Sequence, residues 1–305
     1  MVAATKKNRI MREVLPDTTI DEIAQAVSSV LGKKIIHKAS DSMYGEPRLW
    51  VPSGVPDLDL VLDRKHRGWP VGRIVELYGG PATTKTGLGY ALIAQAQKLG
   101  GVGILYPCEG EFDRWLAARY GIDVDQLIVP EDPADLTVES VFKSFLAAMK
   151  RTGKRGLLVG MIDSIAAMCT NAELKDEDNF DRDRAAQVRA LQISKAMRKL
   201  AAKMPQNNAI LFCVNQTREV TDATLPTKPK PPGGQAIKFH ASVRLRLETL
   251  QKVKRTRKGK DYVAGFKLRI TAEKNRLATP FQEANIVLDY ERGLQPMPKK
   301  KKKKP

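Results

Sequence analysis

Between residues 75 and 214 short apolar runs alternate with segments of helical period, and this alternation limits the fold more than any other feature of the chain. The apolar runs are 75–78, 103–106, 127–129, 157–162 and 209–214, and the helical segments between them are 87–99, 112–120, 138–150 and 184–203. A strand followed by a helix and a second strand returns parallel to the first, because the crossover brings the chain back to the starting end of the sheet. Runs that are apolar throughout, without alternation, are buried on both faces, so helices must cover both sides. The expected fold class is therefore α/β with a central, mostly parallel sheet. Beyond residue 214 helix-length segments stop, and 242–249, 265–272 and 285–290 read as antiparallel strands widening the sheet.

The first of these strands runs into Gly79-Gly80-Pro81-Ala82-Thr83-Thr84-Lys85-Thr86 and then into a helix. A glycine-containing turn in that position aims backbone N–H groups and the positive end of a helix at one point, which makes an anion site. Lys85 is placed to reach the β- and γ-phosphates of a nucleotide, and the Thr86 hydroxyl to hold Mg²⁺. The usual GxxxxGK[ST] spacing is kept, but Thr84 stands where the pattern has its second glycine. A second element supports the reading: the apolar run 157–162 ends in Asp163-Ser164, where a carboxylate can orient the metal's hydration shell. Glycine-rich turns and acidic strand ends are each common, but both in this order are not. The candidate ATP-binding set is thus Gly79, Gly80, Pro81, Ala82, Thr83, Thr84, Lys85, Thr86, Asp163 and Ser164, with Thr86 and Asp163 on Mg²⁺ through water.

Lys and Arg number 52 against 34 Asp and Glu, a formal net charge of +18, and such an excess suits a polyanion such as nucleic acid. Cys108, Cys169 and Cys213 are far apart, as are His37, His66 and His240, and no metal-ligand or redox spacing results. Free thiols fit a reducing compartment, residues 1–14 lack the apolar segment of a signal peptide, and no run of 18 apolar residues exists. These features predict a cytoplasmic, nucleoid-associated protein. Thr18 or Thr19 can cap a helix reaching residue 31, with Ile20, Ile23, Ala24, Val27, Val30 and Leu31 on one face and Gly32 ending it. The polar stretch 38–47 separates it from the core. The expected domains are a helix and linker at 1–50, a core at 51–295 and a disordered basic tail at 296–305, of which 299–304 are lysine.

Further motifs cover most of the chain: Val51-Pro-Ser-Gly-Val-Pro-Asp-Leu-Asp59, Pro70-Val-Gly-Arg-Ile-Val-Glu-Leu-Tyr-Gly79, Met161-Ile-Asp-Ser-Ile-Ala-Ala-Met168, Ser194-Lys-Ala-Met-Arg-Lys-Leu200, Val214-Asn-Gln-Thr-Arg218, Gly233-Gly-Gln-Ala-Ile-Lys-Phe239, Ala241-Ser-Val-Arg-Leu245 and Glu273-Lys-Asn-Arg-Leu-Ala-Thr-Pro-Phe281. Through them residues 51–293 resemble the RecA family of DNA recombinases. The resemblance implies a RecA-type phosphate-loop ATPase core using ATP and Mg²⁺, which assembles as a helical filament on single-stranded DNA and pairs it with a homologous duplex. It implies that Glu109 activates the attacking water, a role that Glu111 fits as well. It implies that Gln216 senses the γ-phosphate, and that Lys274 and Arg276 act on the ATP of a neighbouring subunit. By the same resemblance the charged stretch 171–183 and the Pro-rich stretch 218–235 are DNA-binding loops. Arg184, Lys195, Arg218, Lys228, Lys230, Gly233, Gly234 and Gln235 are the expected DNA contacts, and the N-terminal helix is expected to dock on the next subunit. Mediator and single-strand-binding proteins are the expected helpers.

The chain also departs from the family. Phage recombinases of the UvsX kind likewise lack the glycine replaced by Thr84, so its loss need not abolish ATP use. The adenine-stacking aromatic falls near Trp115 or Leu116. The family's small C-terminal domain and acidic tail are expected to be absent, with lysines in their place, as in a phage-type version. Two other readings share the core: a ring-forming DNA motor, and an ATP-binding protein that coats single-stranded DNA with weak hydrolysis. Six basic residues at 252, 254, 255, 257, 258 and 260 form a hairpin-like patch, either a holder of duplex DNA or a solvated turn.

Overall fold

The computed structural model describes residues 20–31, 45–65, 67–80, 84–110, 112–175, 182–216 and 235–298. In chain order the elements are α1 (Ile20–Leu31), β1 (Trp50–Val51), α2 (Pro56–Leu62), β2 (Trp69–Pro70), β3 (Arg73–Gly79), α3 (Lys85–Lys98), β4 (Val102–Pro107), α4 (Arg114–Arg119), β5 (Leu127–Ile128), α5 (Val138–Thr152), β6 (Leu158–Asp163), α6 (Asn171–Lys175), α7 (Arg182–Lys203), β7 (Ala209–Gln216), α8 (Gln235–His240), β8 (Val243–Arg257), β9 (Lys260–Asn275), β10 (Glu283–Asp289) and β11 (Gly293–Pro296). Two compact units result, Met1–Glu46 and Pro47–Pro305. In the first, α1 leaves Ile23, Val27 and Val30 exposed, Val30 to 85%.

The second unit is built on a nine-stranded sheet in the order β11-β10-β9-β8-β3-β7-β6-β4-β5. The expected parallel sheet is present: β3 pairs with β7, β7 with β6, β6 with β4 and β4 with β5, all parallel. The widening strands differ in one respect from the sequence reading. β8 is antiparallel to β9 but parallel to β3, so it is the seam between the two kinds of sheet. β8 and β9 are also longer than expected, 15 and 16 residues, because their distal halves are polar and lack apolar alternation. Backbone pairing and a tight turn hold that part together. Lys258 and Gly259 at the turn both have positive φ, 50° and 75°, which matches the twist of a two-residue hairpin turn.

All seven residues of β3 are buried, as parallel strands covered on both faces require. One core includes Val75, Leu77, Leu92, Met161, Phe212 and Leu245, and lies against α3. The other includes Ile74, Phe142, Phe145, Ile162, Met197 and Leu211, and lies against α5 and α7. Both helical faces approach the sheet closely through missing side chains. A Cβ at Gly89 would meet the Met161 sulfur at 2.4 Å, and one at Gly160 would meet the Phe145 ring at 2.5 Å. Phe145 fills the space above Gly160, so Phe145→Ala would cost about 3–5 kcal/mol in lost burial and cavity.

Local signals set the helix limits. Thr137 caps α5 by accepting from the Ser140 N–H at 3.2 Å, and Gly153 ends that helix at φ 63°. The short elements β1, β2, α2, α6 and α8 carry no sequence signal of their own length. Tertiary packing forms them: Trp69 of β2 is buried edge-on against Phe212, with ring centroids 5.6 Å apart. Among the described residues no helix is long and apolar enough to cross a membrane.

Candidate active site

Because β3, β4, β6 and β7 are parallel, their C-terminal ends lie on one edge of the sheet, where such folds place their ligands. β3 delivers Gly79 and, after the loop, Lys85 and Thr86 on the first turn of α3. β4 leads to Glu109, β6 ends at Asp163 and β7 ends at Gln216. The Lys85 ammonium is buried and donates to the carbonyls of Gly80 at 2.7 Å and Gly79 at 3.4 Å. Burial lowers its pKa, and the nearby Asp163 and Glu109 carboxylates oppose that shift. The Thr86 hydroxyl donates to Asp163 Oδ2 at 2.6 Å. Burial raises the Asp163 pKa and Glu109 adds to it, while the Thr86 bond and Lys85 work the other way.

Glu109 is held from two sides. Its Oε1 accepts from the Ser164 hydroxyl at 2.6 Å and from Gln216 Nε2 at 2.5 Å, and its own N–H donates to the Asp163 carbonyl at 3.2 Å. Six residues picked from sequence thus converge: Lys85, Thr86, Glu109, Asp163, Ser164 and Gln216. Thr84, just before α3, is left-handed at φ 57°, ψ 31°. Glycine adopts that conformation freely, whereas an L-residue does so at a cost of about 1–2 kcal/mol, more awkwardly when β-branched.

Lys274 and Arg276 contact a different element. Lys274 Nζ donates to the carbonyls of Lys238 at 2.7 Å and Phe239 at 2.9 Å, and Arg276 Nη2 donates to Phe239 O at 3.1 Å. Both cations therefore cap the C-terminal end of α8, where the helix dipole is negative. Burial brings the Lys274 pKa down to about 8, helped by Arg276 and Arg244 and opposed by Glu76. Arg184 and Lys195 are exposed on α7, and Gln235 is the first residue of α8. Pro81, Ala82, Thr83, Glu111, Arg218, Lys228, Lys230, Gly233 and Gly234 lie outside the described residues, as do Thr18, Thr19 and the lysines at 299–304.

Sequence reasoning missed a buried polar relay behind the site. Asn215 Oδ1 accepts from the Gln216 N–H at 3.0 Å, and Asn215 Nδ2 donates to Glu76 Oε1 at 3.0 Å. Glu76, 1% exposed in mid-strand, pairs with Arg244 of β8. The Arg244 guanidinium lies 4.8 Å from the Tyr78 ring centre, the Tyr78 hydroxyl donates to Glu273, and Glu273 pairs with Arg246 at 3.1 Å. The available signal was a carboxylate inside an apolar strand, which must find a charged partner elsewhere in the fold.

The residues present fit a magnesium nucleotide. Thr86 and Asp163 offer hard oxygen donors of the kind Mg²⁺ prefers, and Lys85 is a buried ammonium facing carbonyls of its own loop and two carboxylates. Trp115, at the start of α4, is 62% exposed, and the Arg119 guanidinium lies over its ring, 3.6 Å from the ring centre. A parallel sheet whose central strand leads through a lysine-bearing loop into a helix, faced by an aspartate on a nearby strand end, defines the phosphate-loop class of α/β proteins. Residues 18–295 match the family described as RecA N-terminal domain. Protein RecA of Thermus thermophilus is 36% identical over 279 residues, 91% of this chain and 77% of that protein. Protein RecA of Clostridium perfringens is 31% identical over 270 residues, 88% and 72% of the respective lengths, and that of Thermus aquaticus 34% over 248 residues, 81% and 68%. The chain belongs to the RecA family.

Proposed function

We propose that this chain is an ATP-dependent recombinase that polymerises on single-stranded DNA, pairs it with a homologous duplex and hydrolyses ATP to reset the assembly. The observation that carries this reading is the double restraint on Glu109. A carboxylate held by Ser164 and by the terminal amide of β7, next to Lys85, Thr86 and Asp163, suits a base whose engagement depends on the nucleotide. ATP with Mg²⁺ supplies the phosphoanhydride whose cleavage releases the free energy. Lys85 neutralises phosphate charge, Thr86 and Asp163 hold the metal's oxygen shell, and Glu109 takes the proton of the attacking water. Gln216 can exchange its bond to Glu109 for one to a phosphate, and residues 217–234 follow it directly in the chain.

Lys274 and Arg276 act on the ATP of the adjacent subunit, and α1 docks its exposed apolar side there. Nucleotide state and filament geometry are then one equilibrium. Arg184, Arg218, Lys195, Lys228, Lys230, Gly233, Gly234 and Gln235 form the path of the first DNA strand, and the protein works in the cytoplasm. Electron microscopy on single-stranded DNA, with and without ATP–Mg²⁺, tests this. Helical filaments that extend only with ATP are expected. Closed rings, or coating indifferent to ATP, would overturn it.

A further inference from the structure

Glu76 stands in mid-strand between the buried Val75 and Leu77, and its partner Arg244 is buried as well. A buried ion pair is a poor source of stability, since well-packed apolar residues of the same volume serve as well or better. The pair therefore has a use other than stability, and its connections show which. β3 lies between β7 and β8 in the sheet, and the two oxygens of Glu76 go to opposite sides. Oε1 accepts from Asn215 Nδ2 of β7 at 3.0 Å, and Oε2 accepts from Arg244 Nε of β8. Asn215 is 1% exposed, and its Oδ1 accepts from the N–H of Gln216, the residue whose side-chain amide holds Glu109. On the other side Glu76 is in register with Arg244, and Arg244 with Lys274 of β9. Residues in register on neighbouring strands lie side by side, about 5 Å apart. Glu76, Arg244 and Lys274 thus form one row across three strands.

The Lys274 ammonium, anchored on the carbonyls of Lys238 and Phe239, faces mostly cations. Arg276 just past β9, Arg244 of β8 and Lys238 of α8 disfavour its charge, and Glu76 of β3 favours it. His240 of α8, itself close to Arg198 of α7, completes the charged surroundings. Glu76 is the one carboxylate in that set, so it is the group that offsets the repulsion at Lys274. The same carboxylate is the hydrogen-bond anchor of Asn215. We infer that the Glu76–Arg244 pair, with Asn215, is a positioning device for ATP hydrolysis that acts at two places: through Asn215 it fixes Gln216 against Glu109 within its own subunit, and along the strand row it keeps Lys274 ready for the nucleotide of the next subunit. Glu76, Arg244 and Asn215 act only through Gln216 and Lys274. The role at the next subunit rests on the recombinase reading, whereas the role at Gln216 needs only the site within one chain.

The test is kcat and KM for ATP against pH, with single-stranded DNA, in the full-length parent and three variants, with urea unfolding on the same preparations. Asn215→Ala leaves the ion pair in place and frees Gln216. Its kcat should fall by about 10- to 100-fold, the effect of a misplaced group near the chemistry, with KM for ATP and the alkaline limb of the profile unmoved. Glu76→Gln removes the carboxylate and leaves the repulsion of Arg244, so Lys274 loses its proton sooner. The alkaline limb should move to lower pH by roughly one unit. Glu76→Gln combined with Arg244→Gln removes the repulsion too. Arg244 acts on Lys274 more strongly than Glu76 does, so here the limb should move the other way, to higher pH. This double variant leaves no buried charge unpaired and folds even if the single variant does not. A merely structural pair would lower activity in step with stability and leave the limb in place. A limb at the same pH in the parent and the double variant, or an unchanged kcat in Asn215→Ala, would overturn the inference. A parent without ATPase stimulated by single-stranded DNA, or with a limb that survives Lys274→Arg, would instead sink the recombinase reading and the role at Lys274 with it.

Discussion

In the parallel half of the sheet, from β3 to β5, the site groups already have partners: Lys85 meets loop carbonyls, Thr86 meets Asp163, and Ser164 and Gln216 meet Glu109. In the antiparallel half, from β8 to β11, charges are paired at the base and bare at the tip. Arg244, Arg246 and Arg255 have carboxylates, but the five cations around the turn have none among the described residues. Burial explains the contrast. A charge within the fold must be satisfied there, because leaving it unpaired costs several kcal/mol. An exposed charge is solvated and needs no partner within the fold. The parallel half therefore gathers its candidate site groups at rigid strand ends, and the antiparallel half leaves a cluster of cations open to solvent at the ribbon tip. The relay Gln216–Asn215–Glu76–Arg244 crosses the seam between them.

If this division is right, the strongest blow to one half should spare the other. Glu109→Gln should reduce ATP hydrolysis by about 10²- to 10⁴-fold, the usual worth of a general base, while the stability of the fold stays intact. Steady-state ATPase and urea unfolding on one preparation decide it, and a matching loss of stability would break the division. Glu76→Ala strikes the seam. It leaves Arg244 buried without its carboxylate and should destabilise the protein by about 3–5 kcal/mol in urea unfolding. A cost under about 1 kcal/mol would mean that the relay binds the halves only weakly.

Next in size is the pH dependence. The Lys274 ammonium, with its pKa brought to about 8, is present below that pH and lost above it. If it serves a neighbour's phosphates, ATPase on single-stranded DNA should be level below pH 8 and fall about 10-fold for each further pH unit. Lys274→Arg, always charged, should flatten that limb. A profile that is level to pH 10 would remove Lys274 from the chemistry. The smallest effect is expected at Thr84. Replacement by glycine relieves the left-handed strain and should raise stability by about 1 kcal/mol, read as an increase in Tm. A decrease would show that the threonine side chain contributes contacts that outweigh the strain.

Most of the parallel half was legible in the sequence. Apolar runs of strand length between helical segments dictate burial on both faces, and the order of Lys85, Thr86 and Asp163 along the chain places them at one sheet edge once the strands are parallel. The short elements were not legible, because Trp50–Val51 and Trp69–Pro70 are too brief for any periodicity and exist through packing on Phe212 and its neighbours. The length of the ribbon was hidden as well, since a polar strand has no alternation to read.

What the sequence by itself determined was the kind of sheet and the place of the candidate phosphate loop on it, because hydrophobic period and loop spacing are local properties. Only the tertiary structure decided who meets whom across long separations: Ser164 and Gln216 on Glu109, Arg244 on Glu76, Lys274 on the end of α8, and Arg255 on Asp289. Those choices depend on the pairing of strands far apart in the chain. A buried charge takes the partner that the strand order brings within reach, and a one-dimensional pattern does not carry that order.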